Sequence, residues 1–129
     1  MKEKALRFVL LSAAFCVCSV PLLAHHGDAA FDMGGEKITI KGTVTAWIWA
    51  NPHCLLQFDA PDASGKVAHW VAETTAPPSL INRGWTNKSF KTGDQVTVTL
   101  LPVKNGRPLG RLISVVLPDG EKLPHGNGE

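Results

Sequence analysis

From Ile38 onward the chain alternates between apolar and polar positions. Ile38, Ile40, Gly42, Val44, Ala46 and Ile48 share one side of an extended segment; Thr39, Lys41, Thr43, Thr45, Trp47 and Trp49 share the other. Period-two alternation rich in β-branched residues predicts a long, half-buried strand. Gly42 inside it marks a bulge or a sharp bend, and Asn51-Pro52 ends it, because proline brings no N–H to a ladder. His53 to Asp59 predicts a second strand, with Cys54, Leu56 and Phe58 opposite His53, Leu55 and Gln57. Asp59-Ala60-Pro61-Asp62-Ala63-Ser64-Gly65 has the composition of a turn. Val67 to Glu73 then predicts a third strand, with Ala68, Trp70 and Ala72 opposite Val67, His69, Val71 and Glu73.

After Ala76-Pro77-Pro78 the texture changes. Ser79 to Arg83 predicts a short helix, closed by Gly84 just past its end. Lys91-Thr92-Gly93-Asp94 is a turn, and Gln95 to Leu101 alternates again. Asn105-Gly106 is a hairpin signal. Leu109 to Leu117 is apolar on both sides and predicts a strand buried on both faces; Pro118-Asp119-Gly120 turns the chain into a tail. Three strands, a short helix and two more strands make an all-β chain with a little helix. That order is the one of an OB-fold-like, five-stranded Greek-key barrel with a short helix between strands 3 and 4. A small β-sandwich is the alternative.

The first residues obey a different pattern. Lys2, Lys4 and Arg7 precede an apolar run from Phe8 to Val20, and Pro21-Leu22-Leu23-Ala24 ends on a small residue. This is the layout of a secretory signal peptide, and the run is short of the ~20 residues that a permanent membrane helix needs. The expected organisation is therefore a signal peptide over 1–24, a polar, glycine-containing arm over 25–36 and a barrel domain over 37–129. It places the protein in the periplasm without a permanent membrane span. Cleavage after Ala24 removes three of the 13 basic and one of the 11 acidic side chains, leaving ten of each. A mature chain with no net charge lacks the basic face that a nucleic-acid binder requires. It also keeps only Cys54 of the three cysteines, so no disulfide can form within it.

All five histidines and all four tryptophans follow Ala24. Cleavage there would make His25 the N-terminal residue, offering its α-amine and an imidazole nitrogen to one metal ion. With His26 beside it this suits Cu(II), in the manner of a histidine brace. His53 is the barrel residue taken to complete a metal site with His25 and His26, and His69 is the other imidazole available. Matching the apolar faces across the second turn pairs Phe58 with Ala68 and sets His53 near Glu73. The two barrel histidines then stand four residues apart, about 13 Å, too far to share one ion. Trp47, Trp49, His53, Gln57, His69 and Glu73 fall on the polar faces of neighbouring strands, where they could form a platform for a planar or sugar-like ligand. Rings covered by the arm or the helix would instead be packing residues. Cys54 lies on the apolar face and points away from His53, so the two do not form a nucleophilic pair. No catalytic triad order, phosphate loop or dinucleotide fingerprint is present.

These landmarks, Ala24-His25-His26, Lys41-Gly42-Thr43-Val44, Trp47-Ile48-Trp49-Ala50-Asn51-Pro52-His53, His69-Trp70, Arg83-Gly84-Trp85, Lys91 to Val98 and Asn105-Gly106-Arg107, resemble a family of small exported bacterial proteins of unknown function. The resemblance implies a periplasmic, β-barrel-like domain and brings no activity or ligand with it. One departure is Gly27, where the family resemblance leads one to expect a small hydroxyl residue. The leading expectation is a periplasmic binding or accessory protein, non-enzymatic, with a small ligand, a metal ion or a periplasmic protein as partner. The alternatives are a copper-dependent redox enzyme using the His25 brace and a structural subunit that docks on a larger complex.

Overall fold

The computed structural model describes Phe31 and residues 34–124. The elements are β1 (Ile38–Ile48), β2 (Leu55–Pro61), β3 (Val67–Glu73), α1 (Pro77–Ile81), β4 (Gln95–Pro102), β5 (Leu109–Val116) and β6 (Lys122–Pro124). The sheet order is β3-β2-β1-β4-β5-β6, and β3 also pairs with β5. That extra pairing joins the two sides of the sheet, so β1 to β5 close into a barrel with α1 between its third and fourth strands. The β3–β5 ladder is parallel, Val71↔Leu109, Ala72↔Gly110 and Glu73↔Arg111, while the ladders of β1 with β2 and β4, and of β2 with β3, are antiparallel. The expected OB-like barrel is present. β6 adds a short strand to β5, through Ser114↔Pro124 to Val116↔Lys122, where the pattern predicted only a tail.

The core is built from the inward set of each strand: Val44, Leu56, Phe58, Ala72, Val98, Leu100, Leu112 and Val115 are all buried in one cluster. Two bulges determine which residues belong to it. Between Val44 and Ala46 the β1–β2 register shifts, Val44 facing Phe58 and Ala46 facing Gln57. One extra residue, Thr45, is exposed there. Because side chains alternate with period two, a single added residue exchanges the two faces beyond it. Ile48 consequently points outward at 38% exposure, and Trp47 and Trp49 turn in against the core. The expected polar side of β1 is therefore wrong beyond Val44. A second shift lies between Thr99 and Leu100, which face Ser114 and Leu112. It leaves Ile113 as the extra residue of β5 and moves the inward set from Gly110 and Leu112 to Val115. That exchange explains why β5 reads as apolar on both sides.

The β2–β3 register is Phe58↔Trp70, Gln57↔Val71 and Asp59↔His69, two residues from the expected one. A slip of two leaves every side chain on its own face, so the apolar pattern cannot distinguish the registers, and the turn decides. β2 runs through Pro61, and Asp62 organises the reversal: its carboxylate accepts from the backbone N–H groups of Ser64 and Lys66 and from the Ser64 hydroxyl. These bonds, the Ser64 hydroxyl first, hold the Asp62 carboxyl below its ordinary pKa.

The chain before β1 is fixed to the barrel at one described point. Phe31 forms an isolated antiparallel bridge with Val103 and is 3% exposed, with the Arg111 guanidinium 5.8 Å from its ring centroid. Leu101 and Val103 are buried there too, outside the barrel core. Burying a phenylalanine side chain contributes roughly 1.5–3 kcal/mol.

Gly42 is required by close approach. A Cβ at that position would sit 2.6 Å from the Asp59 carbonyl oxygen and 2.6 Å from Phe58 Cδ2. Gly42→Ala is expected to lower stability by about 1–3 kcal/mol, read as an earlier midpoint in urea unfolding followed by circular dichroism. A variant as stable as the native protein would show that β1 can move away from β2 at this point.

Candidate functional site

The residues with chemical potential fall into three groups. The first is aromatic. Trp47 lies 5.7 Å from Trp49, 5.9 Å from Trp85 and 5.0 Å from Phe90 between ring centroids, and Trp85 lies 5.5 Å from Phe90. Trp85 and Phe90 are buried. The connection after α1 brings them in: Gly84, at φ +83°, lets the chain reverse, and the Trp85 N–H donates to the Leu80 carbonyl. Trp47 Nε1 donates to the Thr86 carbonyl at 3.0 Å. The rings thus interlock under the segment between α1 and β4, and Trp47 packs against the core rather than beside Gln57 on the outer face.

The second group stands where β2 begins and β3 ends. His53 Nδ1 pairs with the Glu73 carboxylate, the neighbours that the sequence reading expected, although in the backbone register Glu73 faces Leu55. The third group stands at the far end of the same two strands, where His69 Nδ1 lies 2.6 Å from Asp59 Oδ1. Asp59 faces Thr43 on its other side, and Thr43 Oγ1 accepts from Gln95 Nε2 at 2.7 Å. The result is a polar row across four strands. His69 is opposite Asp59, six residues along from His53, so the two histidines are separated by about 20 Å. Gln57 lies between the two ends, partly buried. The structure therefore does not bring Trp47, Trp49, His53, Gln57, His69 and Glu73 to one surface.

Both barrel histidines share one arrangement. An ionised carboxylate only accepts hydrogen bonds, so a neutral imidazole that donates to it from Nδ1 has its free lone pair on Nε2. A carboxylate behind one ring nitrogen is how proteins orient imidazoles that ligate metals. The His69 side chain is 81% exposed against 45% for His53. Among the described residues no three His, Cys, Asp or Glu side chains converge as a metal site; His25 and His26 lie outside the described residues. Asp59 was missed as the partner of His69 because it reads as the start of a turn. Phe31 and Arg111 gave no signal beyond an aromatic residue in a polar arm and a cation in a strand.

Cys54 is buried, with its thiol donating to the Ala50 carbonyl at 3.7 Å, and burial pushes its pKa up. A cleft of about 300 Å³ lies between the Lys88–Asp94 turn and Leu117–Asp119. It mixes lysines with aspartates, and its polar side chains are exposed or partly exposed.

A protein-family model matches residues 13–112. The chain belongs to DUF6152, a family of unknown function. No curated protein and no solved structure matches the chain. No helix among the described residues of this DUF6152 member is long and apolar enough to cross a membrane.

The environment of Cys54 predicts that a thiol reagent at pH 8 leaves the folded protein unmodified and labels Cys54 at once in denaturant; prompt labelling of the native protein would contradict its burial. Trp47→Phe removes the bond to Thr86 and is expected to cost about 0.5–1.5 kcal/mol. Hydrogen exchange at residues 86–90 should accelerate in that variant, and unchanged protection would show that the indole does not hold this segment down.

Proposed function

We propose that this protein is a small exported binding protein of the periplasm that takes up a transition-metal ion, Cu(II) by donor chemistry. His25 supplies its α-amine and imidazole, His26 a second imidazole, and a histidine of the barrel, His53 or His69, the remaining nitrogen. The observation that carries this reading is the pair of exposed imidazoles, each backed through Nδ1 by a carboxylate, which leaves Nε2 as the donor. Amine and imidazole nitrogens together favour Cu(II) over the softer or harder ions. The burial of Phe31 adds a second support. It ties the arm to the barrel five residues after His26, so arm and barrel ligands are held at high effective concentration.

The test starts with the N-terminus of protein recovered from the periplasm, expected by mass spectrometry to be His25. Mature protein beginning at His25 should then bind Cu(II) at least tenfold more tightly, by chelator competition, than protein carrying one extra residue before it. Equal affinities would remove the α-amine from the site and the brace with it.

A further inference from the structure

We infer that the first half of β3 is a docking edge, to which an extended, acidic segment of a protein partner adds as a strand; this stands apart from the metal-binding reading. β3 pairs with β2 along its whole length, but with β5 only from Val71 to Glu73. Successive residues of a strand direct their backbone N–H and C=O groups to opposite sides. Val71 N–H donates to the Pro108 carbonyl, on the β5 side. On the β2 side, Thr74 N–H donates to the Cys54 carbonyl, and the Lys66 carbonyl accepts from Asp62 N–H. Even-numbered residues thus pair with β2, and Val67 and His69 aim their backbone groups at the other side, where the β5 ladder is absent. Pro61, which faces Val67, has no N–H to offer, in keeping with this alternation. No described residue takes up those four backbone groups.

The edge is open because of how β5 begins. Leu109 N–H donates to the Arg107 carbonyl at 2.7 Å, a three-residue turn. Gly106, at φ +74°, donates its N–H to the Val103 carbonyl. The chain before Leu109 therefore bends back toward β4 instead of running on beside His69. Val67 is 54% exposed and the His69 side chain 81%. An unpaired edge of this kind is a template for another strand, whose main chain supplies the missing bonds.

Charge selects the partner. Lys66 precedes the edge, and Lys104 and Arg107 belong to the hairpin that borders it; all three are exposed. No carboxylate pairs with their side chains among the described residues. The acids nearby are engaged, Asp59 with His69 and Asp62 with its own turn. Three cations without carboxylates beside four unpaired backbone groups suit a segment that is both extended and acidic. A second copy of this chain, added edge to edge, would set the same cations against each other, so the partner is a different protein.

The probe is the peptide acetyl-Thr-Glu-Val-Glu-Val-Glu-Thr-amide, titrated into ¹⁵N-labelled protein beginning at His25. The amide signals of Val67 and His69 should shift, and their hydrogen exchange should slow about tenfold or more. Affinity should fall about tenfold with the lysine counterpart of the peptide and with the double variant K66E/R107E. It should fall as far with a peptide N-methylated at its valines, and with V67P, which removes one donor at the first position of the strand. Circular dichroism checks that both variants are folded. Equal binding of the N-methylated peptide would reveal attraction by charge without strand addition and overturn the proposal. Shifts confined to residues away from β3, or no shift at about 1 mM peptide, would overturn it too.

Discussion

Between Val44 and Ala46 the first strand carries one residue more than the strand it faces, and much of the molecule depends on that residue. Before Thr45, β1 presents Ile38, Ile40 and Val44 to the core; after it, the strand presents Trp47 and is followed by Trp49, which packs on the same core. Without the extra residue both indoles would stand in solvent, and Ile48 would take the inward place. With it, Trp47 meets Trp85 and Phe90 and anchors the connection from α1 to β4 through Thr86. The end of the barrel is thereby filled by rings delivered from both directions. Gly42, three residues earlier, lets β1 come close enough to Phe58 and Asp59 for the strand to bend around the barrel.

The outer surface follows from this arrangement. With the tryptophans withdrawn, the chemistry left on β2 and β3 consists of two histidine–carboxylate pairs at opposite ends of one hairpin. Their separation is set by the register, and the register by the Asp62 turn. A shorter turn would have placed Asp59 away from His69 and left that imidazole without an orienting partner. On the far side of the parallel β3–β5 seam, Phe31 bridges Val103 with the Arg111 guanidinium over its ring.

The barrel was legible because strand order and the 2-residue period survive whatever the bulges do locally. Cys54, Leu56 and Phe58 read correctly as core because β2 has no register shift against β3. The Trp47/Trp49 platform did not, because a bulge has no composition of its own: Thr45 is one more threonine in a threonine-rich strand. The nearest hint was the pair of indoles on a face otherwise made of threonine and lysine. His53 beside Glu73 could be anticipated by matching faces, but Asp59 beside His69 could not, since a slip of two residues changes partners without changing faces. Phe31 escaped notice for a different reason. It is buried where it bridges Val103 and meets Arg111, both more than 70 residues later in the chain.

The proposed metal reading turns on whether Cu(II) added to protein beginning at His25 meets one of the two carboxylate-backed imidazoles of the barrel. Paramagnetic broadening in ¹⁵N-labelled protein titrated with Cu(II) reads this directly. The reading predicts early loss of the amide signals around one of the pairs, Asp59 and His69 or Leu55 and Glu73. Barrel signals that persist at one equivalent of Cu(II) would contradict it.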